Sequence, residues 1–583
     1  MRKEKTVANG LKDEKSPYLR KHAFDPIDWQ PWGESLFRRA RAEDRLIFLS
    51  VGYRSCHWCN VMHDESFSDP EVGRLVNEAV LAVKVDREER PDIDGHYMAA
   101  CRHLTGGGGW PLSVVLTPEG KPVYAATYLP PRSRSGRVGL TELLSALADG
   151  WCERRQTLLS LAEDLHEAIA REGEPRPAPV PVKRIDEARQ SLLAAFDGQE
   201  GGFFGAPKFP LPHLLLFLMN GADEKGQVRE TVERTLEAMV RGALRDQLGG
   251  GYHRYATDRA WTVPHFEKML YDQAGLAQAF LEAGRLWNRP DFLDETLGII
   301  DYVLTDLASP EGVFFSSEDA DSGGREGGFY LWTEEELADA LGGDAEVFKA
   351  SFGLVAQEGP GFALTRRDGF GGPAGAVRER LLAIRRKRPR PFRDEKVLAD
   401  WNGHFLSALA RAGALSASHL RVAGRGMAFL LDRMGLSSGI LAHSWIDGEL
   451  QPRGFLDDQA FVLQALVDLH EAGLAGPWCG EALALLDRTE QLFGHPSGAY
   501  RFAPEEATGL LPPRVEGADE AYSSGNGVMA LVLARLGRLL DRRDLADRSL
   551  AVIEAFGDSV ADQPWRHATL LTARTLLEEG WRP

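Results

Sequence analysis

The chain has 583 residues, of which 43% are hydrophobic and 26% are charged, and its formal net charge is -18. This composition is that of a globular protein with a sizeable core, and the length predicts more than one domain. The acidic charge argues against nucleic acid or an anionic membrane as a partner, which leaves polar small molecules and other proteins. Five cysteines, a charged N-terminus and no long apolar run predict a cytoplasmic protein without a signal peptide or a membrane span.

Residues 1–170 alternate short apolar strands with helices. The sequence predicts strands at 46–51, 81–85, 112–116 and 123–128, and helices at 59–67, 71–77 and 140–170. This β-α-β-β-α order is typical of a thioredoxin-like α/β layer. We therefore predict a thioredoxin-like domain with an N-terminal extension.

The segment from Ser50 to Asn60 places a Cys-x-x-Cys pair where a strand runs into a helix, which is the layout of a thioredoxin-type redox site. Cys56 stands at the predicted helix N-terminus, where backbone N–H groups and the helix dipole favour an anion. Such an environment lowers the pKa of a thiol. We predict Cys56 as the attacking thiolate and Cys59, one turn along, as the resolving thiol.

Two tryptophans near this motif are predicted to contact a thiol or disulfide partner. Trp58 lies between the cysteines, and Trp110 precedes Pro111 at the start of a predicted strand. The thioredoxin fold carries a cis-proline at this place, and the backbone beside it can pair with a bound partner. An ordinary trans-proline is the alternative. Zinc held by the two cysteines and His63 is a weaker alternative, because no second ligand pair follows; we predict no metal and no cofactor.

A Pro-rich polar segment at 171–184 is predicted as a linker. From 185 to 583 the pattern is almost entirely helical. Similar polar openings begin four helices, at 271–274, 401–403, 457–460 and 525–527, and the last three are about 60 residues apart. That period fits one αα-hairpin, and six hairpins can close into an (α/α)6 barrel whose inner helices point their polar ends into one cavity. Ordinary helix capping is the alternative explanation of these openings.

Loops of the barrel region combine aromatic and ionisable residues. His265 and Glu267 are predicted as a general acid or base, as His253 could also be. Asp319 and Asp321, together with Glu318, could supply paired carboxylates for glycosyl chemistry. Such loops suit a neutral polar ligand, for example a sugar. The predicted ligand-binding residues are Tyr252, His253, Arg254, Trp261, Tyr271, Asp272, Trp401, Asn402, Asp458 and Asn526. The alternative is a hydrogen-bonded plug that rigidifies one end of the barrel.

Several short stretches of the chain form a distinctive set, at 16–19, 22–23, 28–29, 31–32, the Cys56 motif, 83–92, 108–111, 206–210, 264–272 and 319–322. Together they resemble the thioredoxin-domain proteins related to spermatogenesis-associated protein 20. The resemblance implies a thioredoxin-like domain followed by a six-hairpin barrel like that of N-acylglucosamine 2-epimerase. Asn60 departs from the pattern, because the family usually has histidine there, and no proton relay is expected at that position.

Three functions remain open from the sequence. The first is thiol–disulfide exchange at Cys56 and Cys59, next to a barrel that binds a polar small molecule. The second is a carbohydrate-active epimerase, isomerase or hydrolase in which the thioredoxin-like domain serves for docking. The third is a binding or scaffold protein without catalysis. Both folds host many activities, so the fold does not choose among them.

Overall fold

The computed structural model of the protein describes residues 8–134, 136–221, 226–357, 359, 361–367, 375–504, 511 and 514–580. The chain divides into two compact units. Unit 1 runs to Glu174 and includes Leu511 and Arg514, and unit 2 comprises the rest from Pro175 onward. Among the described helices, none combines the length and the apolar content that crossing a membrane requires.

Unit 1 is built on one five-stranded sheet with the strand order β1-β3-β2-β4-β5. Strands β1, β3 and β2 run parallel, and β4 and β5 are antiparallel to their neighbours. The strands are β1 Gln30–Pro31, β2 Ile47–Gly52, β3 Leu81–Asp86, β4 Leu112–Leu116 and β5 Pro122–Ala126. The helices are α1 Pro17–Lys21, α2 Glu34–Glu43, α3 His57–Met62, α4 Pro70–Ala79, α5 Pro91–Thr105, α6 Leu140–Glu153 and α7 Arg155–Glu172.

Helix α5 is an element that the sequence analysis missed, and it makes the order β-α-β-α-β-β-α. Pro91 stands at its first turn, and Gly106 ends it with φ +75°, a conformation that favours glycine. The predicted helix at 140–170 is two helices that break at Arg154. Past α3, residues His63–Phe67 continue as one π-helical turn.

The sheet of unit 1 is buried on both faces. Alternate residues of β2 and β3 enter two separate apolar clusters: Leu49 and Val83 pack on one side, and Phe48 and Ala82 on the other. This period of two is the strand geometry expected of a covered sheet. It directs Lys84, a charged residue in the middle of β3, to the face that carries Phe48.

Unit 2 is helical apart from short strands. Its helices are α8 Lys183–Ala195, α9 Pro212–Met219, α10 Gln227–Arg241, α11 Leu270–Leu286, α12 Pro290–Tyr302, α13 Glu334–Leu341, α14 Ala345–Ser351, α15 Gly375–Arg385, α16 Ala399–Arg411, α17 Ala417–Arg433, α18 Leu456–Glu471, α19 Trp478–Phe493, α20 Gly525–Leu540, α21 Arg543–Ala555, α22 Gly557–Asp562 and α23 Ala568–Gly580. Its strands are β6 Tyr255–Ala256, β7 Pro264–His265, β8 Lys268–Met269, β9 Ser317–Glu318, β10 Asp321–Ser322, β11 Arg325–Glu326, β12 Phe352–Ala356, β13 Phe362–Arg366, β14 Arg393–Asp394, β15 Val397–Leu398, β16 Ser444–Ile446 and β17 Glu449–Leu450.

Six helices of unit 2 form a closed inner ring. Each packs on the next in the order α9, α11, α16, α18, α20 and α23, and α23 packs back on α9. An outer helix stands against each of them: α10, α12, α17, α19, α21 and α8. Helices α11, α16 and α18 are buried around almost their whole circumference, as inner helices must be. This closed ring of six inner and six outer helices is the (α/α)6 barrel that the repeat predicts.

A repeated hydrogen-bond pattern fixes the start of four inner helices. In each, a side-chain amide accepts the backbone N–H and donates to the backbone C=O of one residue in the preceding turn, at 2.7–3.0 Å. The pairs are Gln273 with Tyr252, Asn402 with Phe314, Gln459 with Leu441, and Asn526 with Tyr500. The amides of Asn402 and Asn526 therefore hold the hairpins together, and ligand binding by these two residues stays a prediction.

Candidate functional site

Cys56 caps the N-terminus of α3. Its Sγ accepts the backbone N–H of Cys59 at 3.2 Å, so the sulfur lies where the first turn of the helix presents its unpaired donors. Both cysteines are free thiols, and each is 3% exposed. The strand–turn–helix layout predicted from the sequence is therefore present, with the helix starting at His57 rather than Cys59.

The hydroxyl of Tyr18 lies beside Cys59. A methyl group added at Gly52 would stand 2.4 Å from Tyr18 Oη and 2.8 Å from Cys59 Sγ, so all three groups share one tightly packed spot. Burial and the nearby sulfurs of Cys59 and Cys56 raise the pKa of Tyr18 well above its usual value. Tyr18 comes from α1, in the N-terminal extension, so the extension supplies part of the site.

Lys84 occupies an aromatic chamber behind the cysteines. Its Nζ lies 4.3–5.1 Å from the ring centres of Tyr18, Trp29 and Phe67 and donates to Ser50 Oγ at 3.1 Å. The residue is 1% exposed, and burial lowers its pKa to about 7, against the opposing pull of Asp25 and Cys59. A lysine with this pKa exchanges protons at neutral pH.

Asp25 organises a second layer of this chamber. It accepts hydrogen bonds from His22 Nδ1 at 2.7 Å, His63 Nε2 at 3.0 Å and Trp29 Nε1 at 2.9 Å. Burial alone raises the pKa of Asp25, but the two histidines hold it well below its usual range. The ligand atoms of His22, Asp25 and His63 are close enough to hold a metal ion. His63 faces Asp25, which weakens the zinc alternative built on Cys56 and Cys59.

The predicted partner-binding tryptophans lie around this site. Trp58 is 44% exposed and packs on Tyr128 at 5.3 Å between ring centres. Trp110 contacts the ring of Tyr53, and the guanidinium carbon of Arg87 lies over the Trp110 ring, 4.0 Å from the ring centre. The Trp110–Pro111 peptide bond is cis, as predicted, and the register of β4 on β2 sets it at the same sheet end as the cysteine motif.

In the barrel, His265 and Glu267 meet in one cluster with Arg254. His265 Nε2 lies 3.5 Å from Glu267 Oε1, and Arg254 Nη1 lies 3.1 Å from the same oxygen. His265 Nδ1 contacts Glu326 Oε1 at 2.5 Å, and its ring packs on Tyr255. All three predicted residues are buried.

Asp319 and Asp321 shape a turn beside that cluster. Asp319 Oδ1 accepts the backbone N–H of Asp321 at 3.0 Å, and Asp321 stands opposite Glu326 in the β10–β11 pair. The turn therefore brings Glu326 to His265. The Asp319 carboxylate thus supports the loop geometry, and the glycosyl chemistry of Asp319 and Asp321 stays a prediction.

Three predicted ligand residues are structural. Tyr252 is fully buried and donates to Glu295 at 2.8 Å, towards an outer helix. Burial lowers the pKa of His253 to about 3, so this ring is neutral and not a base at neutral pH; its Nδ1 contacts the Phe266 carbonyl at 2.9 Å. Trp261 is fully buried and donates to the Glu200 carbonyl at 3.1 Å. These contacts are of the kind expected of the hydrogen-bonded plug, and ligand binding by the three residues stays a prediction.

A cluster of carboxyl groups lies at the N-terminal ends of α16 and α18. The ligand atoms of Asp400, His443 and Asp458 all lie within 4.8 Å of one another, and His443 Nδ1 is 2.7 Å from Asp458 Oδ1. Burial raises the pKa of Asp457 to about 8, and the neighbouring charges of Asp400 and Asp458 add to this. Burial also raises the pKa of Asp400 to about 6, against the influence of His443. We name these four residues the carboxyl cluster.

Aromatic rings stand against the carboxyl cluster. Tyr522 Oη donates to Asp400 Oδ2 at 3.3 Å. The ring of Tyr271 packs on Trp401 at 4.8 Å and on Tyr522 at 5.1 Å. The structure thus brings together the predicted residues Tyr271, Trp401 and Asp458, while Asp272 follows Tyr271 on α11 and is 5% exposed.

Sequence reasoning missed Asp400, Asp457 and His443. The first two stand two positions before the repeated amides Asn402 and Gln459, and Tyr271 holds the same place before Gln273. This shared position, two residues before each repeated amide, was the feature of the sequence that could have identified Asp400 and Asp457. His443 gives no such sign, because it lies in the turn that Gln459 fastens, 15 residues from Asp458.

Comparisons with known proteins find similar proteins for the N-terminal part and for the whole chain. A thioredoxin-like family described as a protein of unknown function, DUF255, matches residues 8–170. Among solved structures, a D-mannose isomerase matches with TM-score 0.46 and 10% identity, over 68% of this chain and 97% of that one. A cellobiose 2-epimerase from Bacillus thermoamylovorans matches with TM-score 0.43 and 10% identity, over 68% and 98%.

Curated relatives match along nearly the whole chain. Spermatogenesis-associated protein 20 of Rattus norvegicus is 37% identical over 624 residues, which span 96% of this chain and 79% of the relative. The protein of the same name from Homo sapiens gives the same identity and coverage. The chain therefore belongs to the spermatogenesis-associated protein 20 family.

Proposed function

We propose that unit 1 carries out thiol–disulfide exchange with a disulfide of a protein or a small molecule. The observation that carries this proposal is the position of Cys56 Sγ, which caps α3 and accepts the N–H of Cys59 at 3.2 Å. A helix N-terminus favours the thiolate, which is the nucleophile in such reactions. Cys59 follows three residues later, in reach of a disulfide formed at Cys56.

The exchange proceeds in two steps. The Cys56 thiolate attacks one sulfur of the partner disulfide, forms a mixed disulfide and releases the other sulfur as a thiolate. Cys59, once deprotonated, attacks Cys56 Sγ, forms the Cys56–Cys59 disulfide and releases the second partner thiolate. The partner gains two electrons and the dithiol loses two. A second, dithiol partner returns the pair to its reduced form, and a reducing compartment such as the cytoplasm suits that step.

Lys84 supports the second step. Cys59 must lose a proton before it attacks, and Lys84, whose pKa burial lowers to about 7, is half neutral at that pH. Tyr18 lies beside Cys59, and the Lys84 Nζ lies over the Tyr18 ring, 5.1 Å from the ring centre. We assign Lys84 as the proton acceptor of this chamber, with Tyr18 between it and the sulfur.

The low exposure of Cys56 sets how a partner approaches. Only 3% of the residue is exposed, so the attacked sulfur must be brought close in an extended segment or a slim molecule. Trp58 offers an exposed apolar surface next to the motif, and the backbone beside Pro111 offers hydrogen bonds at the same sheet end. A partner held by these two features presents its disulfide to Cys56.

Trapping with oxidised glutathione tests this proposal. In the Cys59→Ser variant we expect a stable glutathione adduct at Cys56, because the second step is blocked. The matched Cys56→Ser variant is expected to form little adduct at Cys59. Equal adduct formation in both variants, measured by peptide mass spectrometry, would contradict the assignment of the two roles.

The carboxyl cluster supports a second function, for unit 2. We propose that the barrel performs acid–base chemistry on a polar small molecule such as a sugar. Asp457, with a pKa of about 8, holds a proton at neutral pH, and Asp400, with a pKa of about 6, is largely ionised. Neighbouring carboxyls whose environments separate their pKa values suit the roles of acid and base. Tyr271 and Trp401 offer ring faces to the apolar side of a sugar.

Calorimetric titration with a panel of monosaccharides and N-acyl sugars tests the second function. We expect one class of sugar to bind, and Asp457→Asn to change its affinity by about tenfold, as loss of a hydrogen bond at a buried site does. The matched control is Asp487→Asn on the exposed face of α19. An absence of heat with every sugar at millimolar concentration would contradict the proposal and favour a scaffold role.

A further inference from the structure

Unit 2 contains a cavity of about 460 Å³ away from the inner-helix ends. It lies between the C-terminal half of α10, the loop at 199–201 and the end of strand β13. Cavities of this volume accommodate small molecules. Neither the candidate functional residues of the sequence analysis nor the carboxyl cluster lines it.

The lining of this cavity is cationic. Among its described lining residues four are arginines, Arg234, Arg241, Arg366 and Arg367, and Glu200 is the one carboxylate. Arg234 and Arg241 stand seven residues apart on α10, which sets them on one face two turns apart. The whole chain carries a net charge of -18, so this concentration of positive charge is a local departure from the rest of the surface.

Arg366 is the key group of this cavity. It is half-buried, and within the described ranges no carboxylate pairs with its guanidinium at 4.0 Å or less. Burial and the neighbouring charge of Arg245 lower its pKa. The position is fixed by β13, where Arg366 stands opposite Phe352. The charge of Glu295 opposes the lowering of the Arg366 pKa, and Arg234 and Arg241 pair with Glu230 and Glu237 on their own helix. An anionic ligand in the cavity would therefore offset chiefly the charges of Arg366 and Arg367.

We propose that this cavity binds a small molecule carrying a phosphate group. The planar guanidinium presents paired donors that match phosphate oxygens, and several such groups around one cavity offset more than one negative charge. Arg367, which also lines the cavity, is positioned by a hydrogen bond from its Nε to the Phe352 carbonyl at 3.0 Å. This inference is independent of the thiol chemistry and of the carboxyl cluster.

Titration of the full chain with inorganic pyrophosphate at constant ionic strength tests the proposal. We expect saturable binding that weakens by about tenfold or more in Arg366→Gln, since a charge-assisted hydrogen bond is of that order. Arg433→Gln, at an exposed position on α17, is the matched control and is expected to bind as the wild type does. Glu200→Gln removes the opposing carboxylate and is expected to tighten binding.

The outcomes separate specific binding from general attraction to charge. Equal binding by the wild type and Arg366→Gln would overturn the proposal, as would an absence of binding at millimolar pyrophosphate. Displacement of pyrophosphate by sulfate at equal concentration would also count against it, because the site would then distinguish only charge. Tighter binding in Glu200→Gln together with weaker binding in Arg366→Gln supports it.

Discussion

Lys84 gives the most quantitative prediction about unit 1. A lysine that titrates at about 7 in the folded protein and at 10.5 when exposed binds its proton more weakly in the folded state. Below pH 7 both states are charged, and the full cost of burying the charge is present. Between pH 7 and 10.5 the folded state sheds its proton first, so the free energy of unfolding rises with pH in this window.

The magnitude follows from the shift in pKa. The cost of burying the Lys84 charge lowers the free energy of unfolding by about 4 kcal/mol at pH 7 and by about 2 kcal/mol at pH 9. Replacing Lys84 by methionine removes this cost but also removes the Ser50 hydrogen bond and the aromatic contacts, whose contribution varies little with pH. We therefore expect the stability of Lys84→Met relative to the wild type to fall by about 2 kcal/mol between pH 7 and pH 9.

Hydrogen exchange resolved by mass spectrometry on peptides of β2 and β3 measures this difference in the full chain. Each pH is compared between variant and wild type, so the intrinsic exchange chemistry cancels. Lys12→Met, at an exposed lysine of unit 1, is the control and is expected to show no pH-dependent difference. A constant difference between Lys84→Met and the wild type at both pH values would refute the reasoning, because Lys84 would then stay charged.

Three further predictions concern packing and the carboxyl cluster. Gly52→Ala should slow exchange with oxidised glutathione by about tenfold or more, because its methyl group displaces Tyr18 and Cys59; Gly33→Ala, with no atom within 4 Å, should not. Gln459→Leu leaves two buried backbone groups of the preceding turn unpaired and should lower the stability of unit 2 by about 2–4 kcal/mol in denaturant titration, whereas Gln491→Leu on an exposed face should not. The raised pKa of Asp457 makes the wild type lose stability as pH rises towards 8. The free energy of unfolding of Asp457→Asn should therefore increase relative to that of the wild type by more than about 1 kcal/mol between pH 5 and pH 7. A difference between the two proteins that is the same at both pH values would contradict the protonation of Asp457.

The Cys-x-x-Cys motif of unit 1 could be predicted from the sequence because it is local. A strand, two cysteines three residues apart and a helix lie in one short segment, and the register of β4 on β2 then sets Pro111 beside it. Helix α5 was missed because Gly95 and its acidic first turn obscure the apolar period.

The chamber behind the cysteines could not be predicted in the same way. Lys84 lies in a strand of alternating residues, and a charged residue there is expected to face solvent. The N-terminal extension covers that face with Tyr18 and Trp29, which is a contact between segments about 60 residues apart in sequence. The alternation of residues in β3 does not indicate that another segment covers this face of the strand.

The barrel shows the same division between local and distant information. The repeated openings of the inner helices were visible, but their amides were assigned to a ligand because the turn residues that they bind lie 18–88 residues away. The carboxyls that do meet, Asp400 and Asp457, stand beside those amides in sequence. Asp400 and Asp457 come close together because their helices pack side by side in the closed ring, and no local sequence pattern predicts that packing.

The rate of alkylation of Cys56 by iodoacetamide as a function of pH tests the central claim most directly. Peptide mass spectrometry follows Cys56 in the full chain, with exposed Cys152 as the internal reference. A thiolate stabilised by the start of α3 predicts a midpoint for Cys56 in the range of about 3.5–7.5, below that of Cys152. A Cys56 midpoint near 8.5, the ordinary value for a free thiol, would contradict the assignment of Cys56 as the attacking thiolate.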